Sequence, residues 1–210
     1  MIIAIDGPTA SGKGTIARAL AANFGLPHLD TGLLYRAVGV QTARMGGNPD
    51  VEADALAACD FPDALLRDPE LRLEASGALA SRASVHPAVR AALLQRQRAF
   101  AAQPGGAVLD GRDIGTVIAP DAHAKLFVIA SADARAVRRQ AELAERGVAA
   151  DLAVLTAEIA ARDARDAGRR AAPLARAADA DLLDTSDLTI DDAVQRAIAL
   201  VEARLSRRST

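Results

Sequence analysis

Nine residues near the start of the chain constrain its fold more than any other stretch: Gly7-Pro8-Thr9-Ala10-Ser11-Gly12-Lys13-Gly14-Thr15. Ahead of them runs Met1-Ile2-Ile3-Ala4-Ile5-Asp6, a short apolar run suited to a buried strand. Behind them, from Ile16 to Phe24, apolar residues recur at helical spacing. Strand, glycine loop, helix is the context that a phosphate-binding loop requires. Glycines let the backbone turn tightly and approach a phosphate chain. Successive amide N–H groups then form a cradle for anions. The positive end of the helix dipole faces the same phosphates. Lys13 adds a full charge able to follow the terminal phosphates.

One departure changes the metal chemistry. Such loops usually place Ser or Thr directly after the lysine, and here Gly14 intervenes. The hydroxyl for the Mg²⁺ that accompanies ATP is then Thr15, or none. The competing reading is an ordinary glycine-rich strand–helix turn that happens to contain a lysine.

The 210 residues are enough for one α/β domain with insertions. Only 2% are aromatic although half are hydrophobic, so Ala and Leu carry the apolar content and favour helices. The net charge of −2 and a pI near 5.9 give no global basic signature for nucleic acid. Cys59 is the only cysteine, which excludes an intrachain disulfide and a zinc cluster and fits a reducing compartment. There is neither a basic, then apolar, leader pattern nor an uninterrupted apolar run of about 18 residues. A soluble cytoplasmic protein is the expectation.

Along the chain, strands are expected at Ile2–Asp6, 107–110, 125–129 and 182–184, with a short segment at His28–Asp30. Helices are expected over Lys13–Phe24, from an N-cap at Thr31 to about Met45, over 87–102, from a Ser131 cap to Glu145, over 151–167 and over 190–205. Between 50 and 103 the chain reads as mostly helical, broken at Pro62, Pro69 and Pro87. Strands alternating with helices argue for a parallel sheet covered on both faces.

Three further groups carry chemistry. Asp110-Gly111-Arg112-Asp113 follows a buried strand, so Asp110 stands at the carboxyl edge, where open parallel sheets bind ligands. Asp110 is placed to orient Mg²⁺ directly or through water. The planar fork of Arg112 suits phosphate. The alternative is a turn with a local Arg–Asp pair. Thr31 and Arg36 lie near the start of one helix, facing a common ligand or merely beginning an exposed helix. Arg162, Asp166 and Arg169 fall at i, i+4 and i+7, either as an ion-paired solvated face or as a mobile arginine flap that stabilises a transferring phosphoryl group. His28, His86 and His123 show no ligand spacing and read as surface or packing residues.

Taken together, these residues resemble the bacterial cytidylate kinases, a family of P-loop nucleoside monophosphate kinases. The resemblance rests on residues 7–15 with their Gly-Lys-Gly-Thr ending, on Asp30-Thr31-Gly32-Leu33-Leu34-Tyr35-Arg36, on Asp110-Gly111-Arg112-Asp113-Ile114-Gly115-Thr116, and on Arg162-Asp163-Ala164-Arg165-Asp166 through Arg169 to Ala172-Pro173-Leu174. The stretch from Arg90 to Phe100 and Pro120-Asp121-Ala122 are also similar to the family. The resemblance covers nearly the whole chain.

It implies a P-loop NTPase-type three-layer α/β fold with a roughly five-stranded parallel sheet, a mostly helical monophosphate-binding insertion and an arginine-rich lid. One domain over 1–210 follows, with core segments 1–45, 104–145 and 178–210, the insertion at about 46–103 and the lid at about 146–177. The implied reaction is phosphorylation of CMP and dCMP by ATP with Mg²⁺. Gly7, Pro8, Thr9, Ala10, Ser11, Gly12, Lys13, Gly14 and Thr15 would hold ATP, and Thr15 and Asp110 the metal. Thr31, Arg36, Arg72, Arg112, Asp113, Arg162, Asp166 and Arg169 would contact CMP, with Arg36 and Arg112 on its phosphate and Asp113 on the cytosine amino group. Lys13, Arg112, Arg162 and Arg169 would be catalytic. Longer family members carry an extra small sheet between the equivalents of Arg36 and Arg72. Only 35 residues separate the two here, so this region is expected to be short and helical. The implied partners are small nucleotides, without nucleic acid or membrane, and the chain is expected to be a monomer. A P-loop kinase for AMP, UMP, shikimate or dephospho-coenzyme A, and a nucleotide-switch binding protein, stay open as alternatives.

Overall fold

The computed structural model describes residues 1–168 and 172–208. Two compact units divide the chain: Met1–Leu29 with Ala101–Thr210, and Asp30–Phe100.

The first unit is built on a five-stranded parallel sheet of order β2-β3-β1-β4-β5. The strands are β1 (Ile2–Asp6), β2 (His28–Asp30), β3 (Ala107–Gly111), β4 (Ala124–Ile129) and β5 (Asp181–Asp184). β1 sits at the centre because it is apolar on both faces, and Ile3, Ala4 and Ile5 are fully buried. In register, Ile5 faces Asp110 and Asp6 faces Gly111 on β3, while Asp6 faces Phe127 on β4. The connection leaving β1 runs to β2 on one side, and the connection leaving β3 runs to β4 on the other. That reversal is the topological switch point, and it puts the glycine loop and the Asp110 loop side by side at the carboxyl edge.

Helix α1 (Lys13–Phe24) buries Ile16, Ala17, Leu20 and Ala21, a stripe at i, i+1, i+4 and i+5. It ends at Gly25, whose φ of 63° allows the Leu26 amide to reach back 2.9 Å to the Ala21 carbonyl. α1 shares one core with β1, β3, β4 and α8 (Ile190–Arg208), which contributes Ala193, Ala197 and Val201. Two more helices, α6 (Ala132–Glu145) and α7 (Leu152–Ala167), pack on each other through Ala136, Leu155 and Ile159. Ser131 caps α6 as its position suggests, accepting from the Ala134 amide.

Beyond Asp30, the last residue of β2, the second unit consists of helices and turns, with no strand among its described residues. It contains α2 (Thr31–Arg44), α3 (Glu52–Ala57), the 3₁₀ turns Asp63–Arg67 and Pro69–Arg72, α4 (Glu74–Ala83) and most of α5 (Pro87–Ala101). Asp30, not Thr31, caps α2: its carboxylate accepts the Gly32 amide at 2.9 Å, and Thr31 is the first helical residue. An Asx side chain two residues from an open amide makes this bond more readily than a threonine already wound into the helix.

α2 and α4 approach closely at Gly39. A Cβ there would lie 2.7 Å from Leu79 Cβ and 2.8 Å from the Leu79 carbonyl carbon. Backbone stands on one side of that contact, so it cannot relax cheaply. Gly39→Ala is therefore expected to destabilise the protein by about 1–3 kcal/mol, read as a lowered urea midpoint. An unchanged midpoint would show that the two helices have room to separate.

Candidate active site

The glycine loop follows β1 directly, and its backbone is held in shapes few residues adopt. Gly12 lies at φ 86° and Ala10 at φ 56°, a left-handed conformation uncommon for alanine. Gly7 is required by space: a Cβ there would meet the Val128 carbonyl oxygen at 2.0 Å.

Outward-turned carbonyls of the loop are tied down by side chains from elsewhere in the first unit. Arg135 on α6 donates to the Thr9 carbonyl at 3.4 Å and to the Ala130 carbonyl at 3.0 Å, and pairs with Asp163 of α7 at 2.7 Å. The Thr185 hydroxyl shares its proton between the Ser11 and Ile129 carbonyls at 3.0 and 3.1 Å. Arg138 donates to both the hydroxyl and the carbonyl of Thr185. These bonds fix the Thr9 and Ser11 carbonyls from outside the loop, and the backbone amides of such a loop are the groups an anion engages. Beside it opens a cavity of about 280 Å³, bounded among others by Ala10, Gly12, Thr15, Arg138, Thr185 and Leu188. Arg135, Arg138, Thr185 and this cavity escape sequence reasoning, because each acts on the loop from more than 120 residues away.

On the neighbouring strand, Asp110 is buried, and one of its oxygens lies 2.7 Å from His28 Nε2. The other faces the loop: a Cβ on Gly14 would sit 3.9 Å from Asp110 Oδ2. His28, a packing residue by its sequence context, thus touches a candidate site residue. A β2 residue facing β3 was the available signal. The Thr15 hydroxyl accepts from Arg18 at 3.1 Å. Among the described residues no group of three or more His, Cys, Asp or Glu side chains forms a metal cage. One carboxylate, one hydroxyl and the phosphates of a nucleotide are the donor set Mg²⁺ commonly takes, so Asp110 and Thr15 fit it.

Beyond Asp110, residues Ile114–Ile118 form a π-type turn, with the Ile118 amide bonded to the Asp113 carbonyl and the Ala119 amide to the Ile114 carbonyl. The sequence reads as a plain loop here. Arg112 donates through Nε to Asp166 of α7 at 2.7 Å, and the pair is 14% and 1% exposed. Two residues separately singled out by the sequence are therefore brought together. Asp113 is buried. Arg162 is also on α7, and Arg169 lies outside the described residues. In the second unit, Arg36 donates to the Leu71 and Leu73 carbonyls at 2.8 and 3.1 Å, beside Arg72. Arg90 stacks over the Tyr35 ring at 5.4 Å.

Asp6 closes the arrangement. Its two oxygens accept the Ile114 and Gly115 amides, each at 2.8 Å. Burial pushes this carboxyl up to about 7, although the two amides and Arg112 pull it down. Its ordinary value is 3.8. A raised value means that the folded state holds the proton more tightly. Its contribution to stability is full below about pH 4 and is lost as pH rises through 7. Relative to Asp6→Asn, the wild type should lose about 2–3 kcal/mol of unfolding free energy between pH 5 and pH 8. Urea titrations at both pH values read this directly, and parallel behaviour of the two proteins would contradict it.

The family described as "Cytidylate kinase" matches residues 3–203. A cytidylate kinase of Xanthobacter autotrophicus is 57% identical over 99% of this chain and 100% of its own length. One of Granulibacter bethesdensis is 56% identical over 99% of both. A crystal structure of an uncharacterized protein from Eubacterium ventriosum is 15% identical and superposes with a TM-score of 0.56, covering 97% of this chain and 99% of that one, so it shares the fold.

Proposed function

Because the chain belongs to the cytidylate kinase family, we propose that it transfers the γ-phosphoryl group of ATP to CMP and dCMP, giving ADP with CDP or dCDP. The observation that carries the reading is the register of β1 against β3. It brings the glycine loop and the Asp110-Gly111-Arg112-Asp113 loop to one edge of the sheet, which supports reading them as donor and acceptor sides of one site.

In this reading residues 7–15 hold the triphosphate and Lys13 follows the β- and γ-phosphates. The base and ribose of ATP take the 280 Å³ cavity between the loop and Arg138, Thr185 and Leu188. Arg112 binds the CMP phosphate and Asp113 accepts from the cytosine amino group. Thr31, Arg36 and Arg72 of the second unit carry further contacts to CMP, and Arg162, Asp166 and Arg169 act from the lid. Asp110 and Thr15 would hold Mg²⁺, which supplies charge neutralisation on the phosphates when bound.

The attacking atom is a phosphate oxygen of CMP, already anionic at neutral pH. No strong general base is needed, and none of the three histidines is called on to act as one. The work of the chain is alignment of donor and acceptor, plus neutralisation of charge that builds up as the phosphoryl group moves. Lys13 and the arginines supply the positive charge. Arg112 arrives already oriented by Asp166, so little side-chain freedom is lost when it engages phosphate.

Lys13→Met should fold and lose about 100-fold or more in kcat. Asp113→Ala should raise the KM for CMP about tenfold or more and leave the KM for ATP close to that of the wild type. Steady-state kinetics with each substrate varied reads both. Near-normal turnover of Lys13→Met would refute the assignment of the loop. An unchanged KM for CMP would remove Asp113 from base recognition.

A further inference from the structure

We propose that Asp6 is a positioning residue for the acceptor side of the site: its buried carboxylate holds the backbone of the loop that aims Arg112 and Asp113. The proposal rests on the reading above, in which these two residues bind CMP.

Asp6 is the last residue of β1 and directly precedes Gly7 of the phosphate loop. Its side chain turns toward the other loop and accepts the Ile114 and Gly115 amides, each at 2.8 Å. These are the first two amides of the π-type turn that follows Asp113, and the start of any helical turn leaves such amides without intrahelical partners. Both are buried, so each needs an acceptor. Two adjacent amides require two acceptor atoms on one short side chain. Only an aspartate carboxylate offers two equivalent oxygens at this length; Asn and Ser offer one acceptor and add a donor. The charge is costly to bury, since Asp6 is 4% exposed and its recorded hydrogen bonds go to backbone rather than to a cation. A fold that needed only to end β1 here would not require it. The two bonds fix the residue immediately after Asp113. They also fix the loop whose other end is Arg112, so a shift at Ile114 is passed to both side chains.

The phosphate loop has its own supports at Thr9 and Ser11, from Arg135 and Thr185. Loss of the Asp6 bonds should therefore fall on the acceptor, not on the donor.

The test is steady-state kinetics of Asp6→Asn and Gly115→Ala in the full chain. Asp6→Asn replaces one acceptor oxygen with an amide donor. Gly115→Ala leaves Asp6 intact, but its Cβ would lie 3.3 Å from Asp6 Oδ2 and 3.1 Å from Lys125 Cδ, which presses the carboxylate away. The second variant keeps the proposal testable if the first does not fold. Measured at pH 8, where the Asp6 carboxyl is ionised, loss of a charge-assisted hydrogen bond predicts an increase of about 10- to 100-fold in the KM for CMP, with the KM for ATP close to wild type. In a background with both Arg112→Ala and Asp113→Ala the same changes should add little, because both residues being aimed are gone. Equal rises in the KM for CMP and for ATP would make Asp6 a scaffold of the phosphate loop and overturn the proposal. So would wild-type KM values for CMP in both variants while Asp113→Ala and Arg112→Ala are impaired. If Arg112→Ala and Asp113→Ala are themselves silent toward CMP, the underlying reading fails, and this proposal fails with it.

Discussion

The parallel pairing of β1 with β3 and β4 is the constraint on which everything else in the first unit depends. Because Ile5 stands opposite Asp110 and Asp6 opposite Gly111, both loops leave the sheet at the same level. A slip of one residue would turn Ile3 and Ile5 toward the opposite layer. It would also separate the Asp6 carboxylate from the Ile114 and Gly115 amides. Core packing and site geometry are thus set by one register, and the buried side chains of β1, β3, β4, α1 and α8 enforce it.

Around that register the loops are braced from behind. Arg135 and the Thr185–Arg138 pair hold carbonyls of the phosphate loop, Asp6 holds amides of the opposite loop, and Asp166 holds Arg112. Each brace engages the backbone or a side chain of a loop residue. Preorganisation of this kind matters in phosphoryl transfer, where the protein contributes position and charge rather than covalent chemistry. It also explains why so many charged groups near the site are buried. A bound nucleotide would meet groups whose orientation has been fixed in advance.

The sheet was readable in the sequence because its strands are short apolar runs bounded by loop residues, and because the glycine loop dictates strand before and helix after. The glycine loop between β1 and α1, and the strand that ends at the Asp110–Asp113 segment, were readable for the same local reason. The N-cap of α2 was misplaced by one residue, since Asp30 and Thr31 are both good capping types and only the geometry at Gly32 separates them. His28 gave no sign of reaching Asp110, which is 82 positions away. Arg135, Arg138, Thr185 and Asp6 carry no motif that marks them as braces. Each reaches at least one backbone group far along the chain, and backbone groups have no signature in a sequence. The short helical region between Arg36 and Arg72 was legible from its length set beside longer family members, and no strand occurs among its described residues.

In the proposed function the glycine loop and the Arg112–Asp113 loop together would select a cytosine monophosphate as acceptor. The most direct measurement is ADP release from Mg·ATP by the wild-type chain, with CMP, dCMP, UMP, AMP and GMP offered separately. Turnover of about 1–100 s⁻¹ is expected with CMP and dCMP, and much lower kcat/KM with the purine nucleotides. A preference for AMP or GMP would leave the fold and the phosphate loop in place and contradict the assignment of Asp113. ATP binding with no stimulation by any monophosphate would contradict the claim altogether.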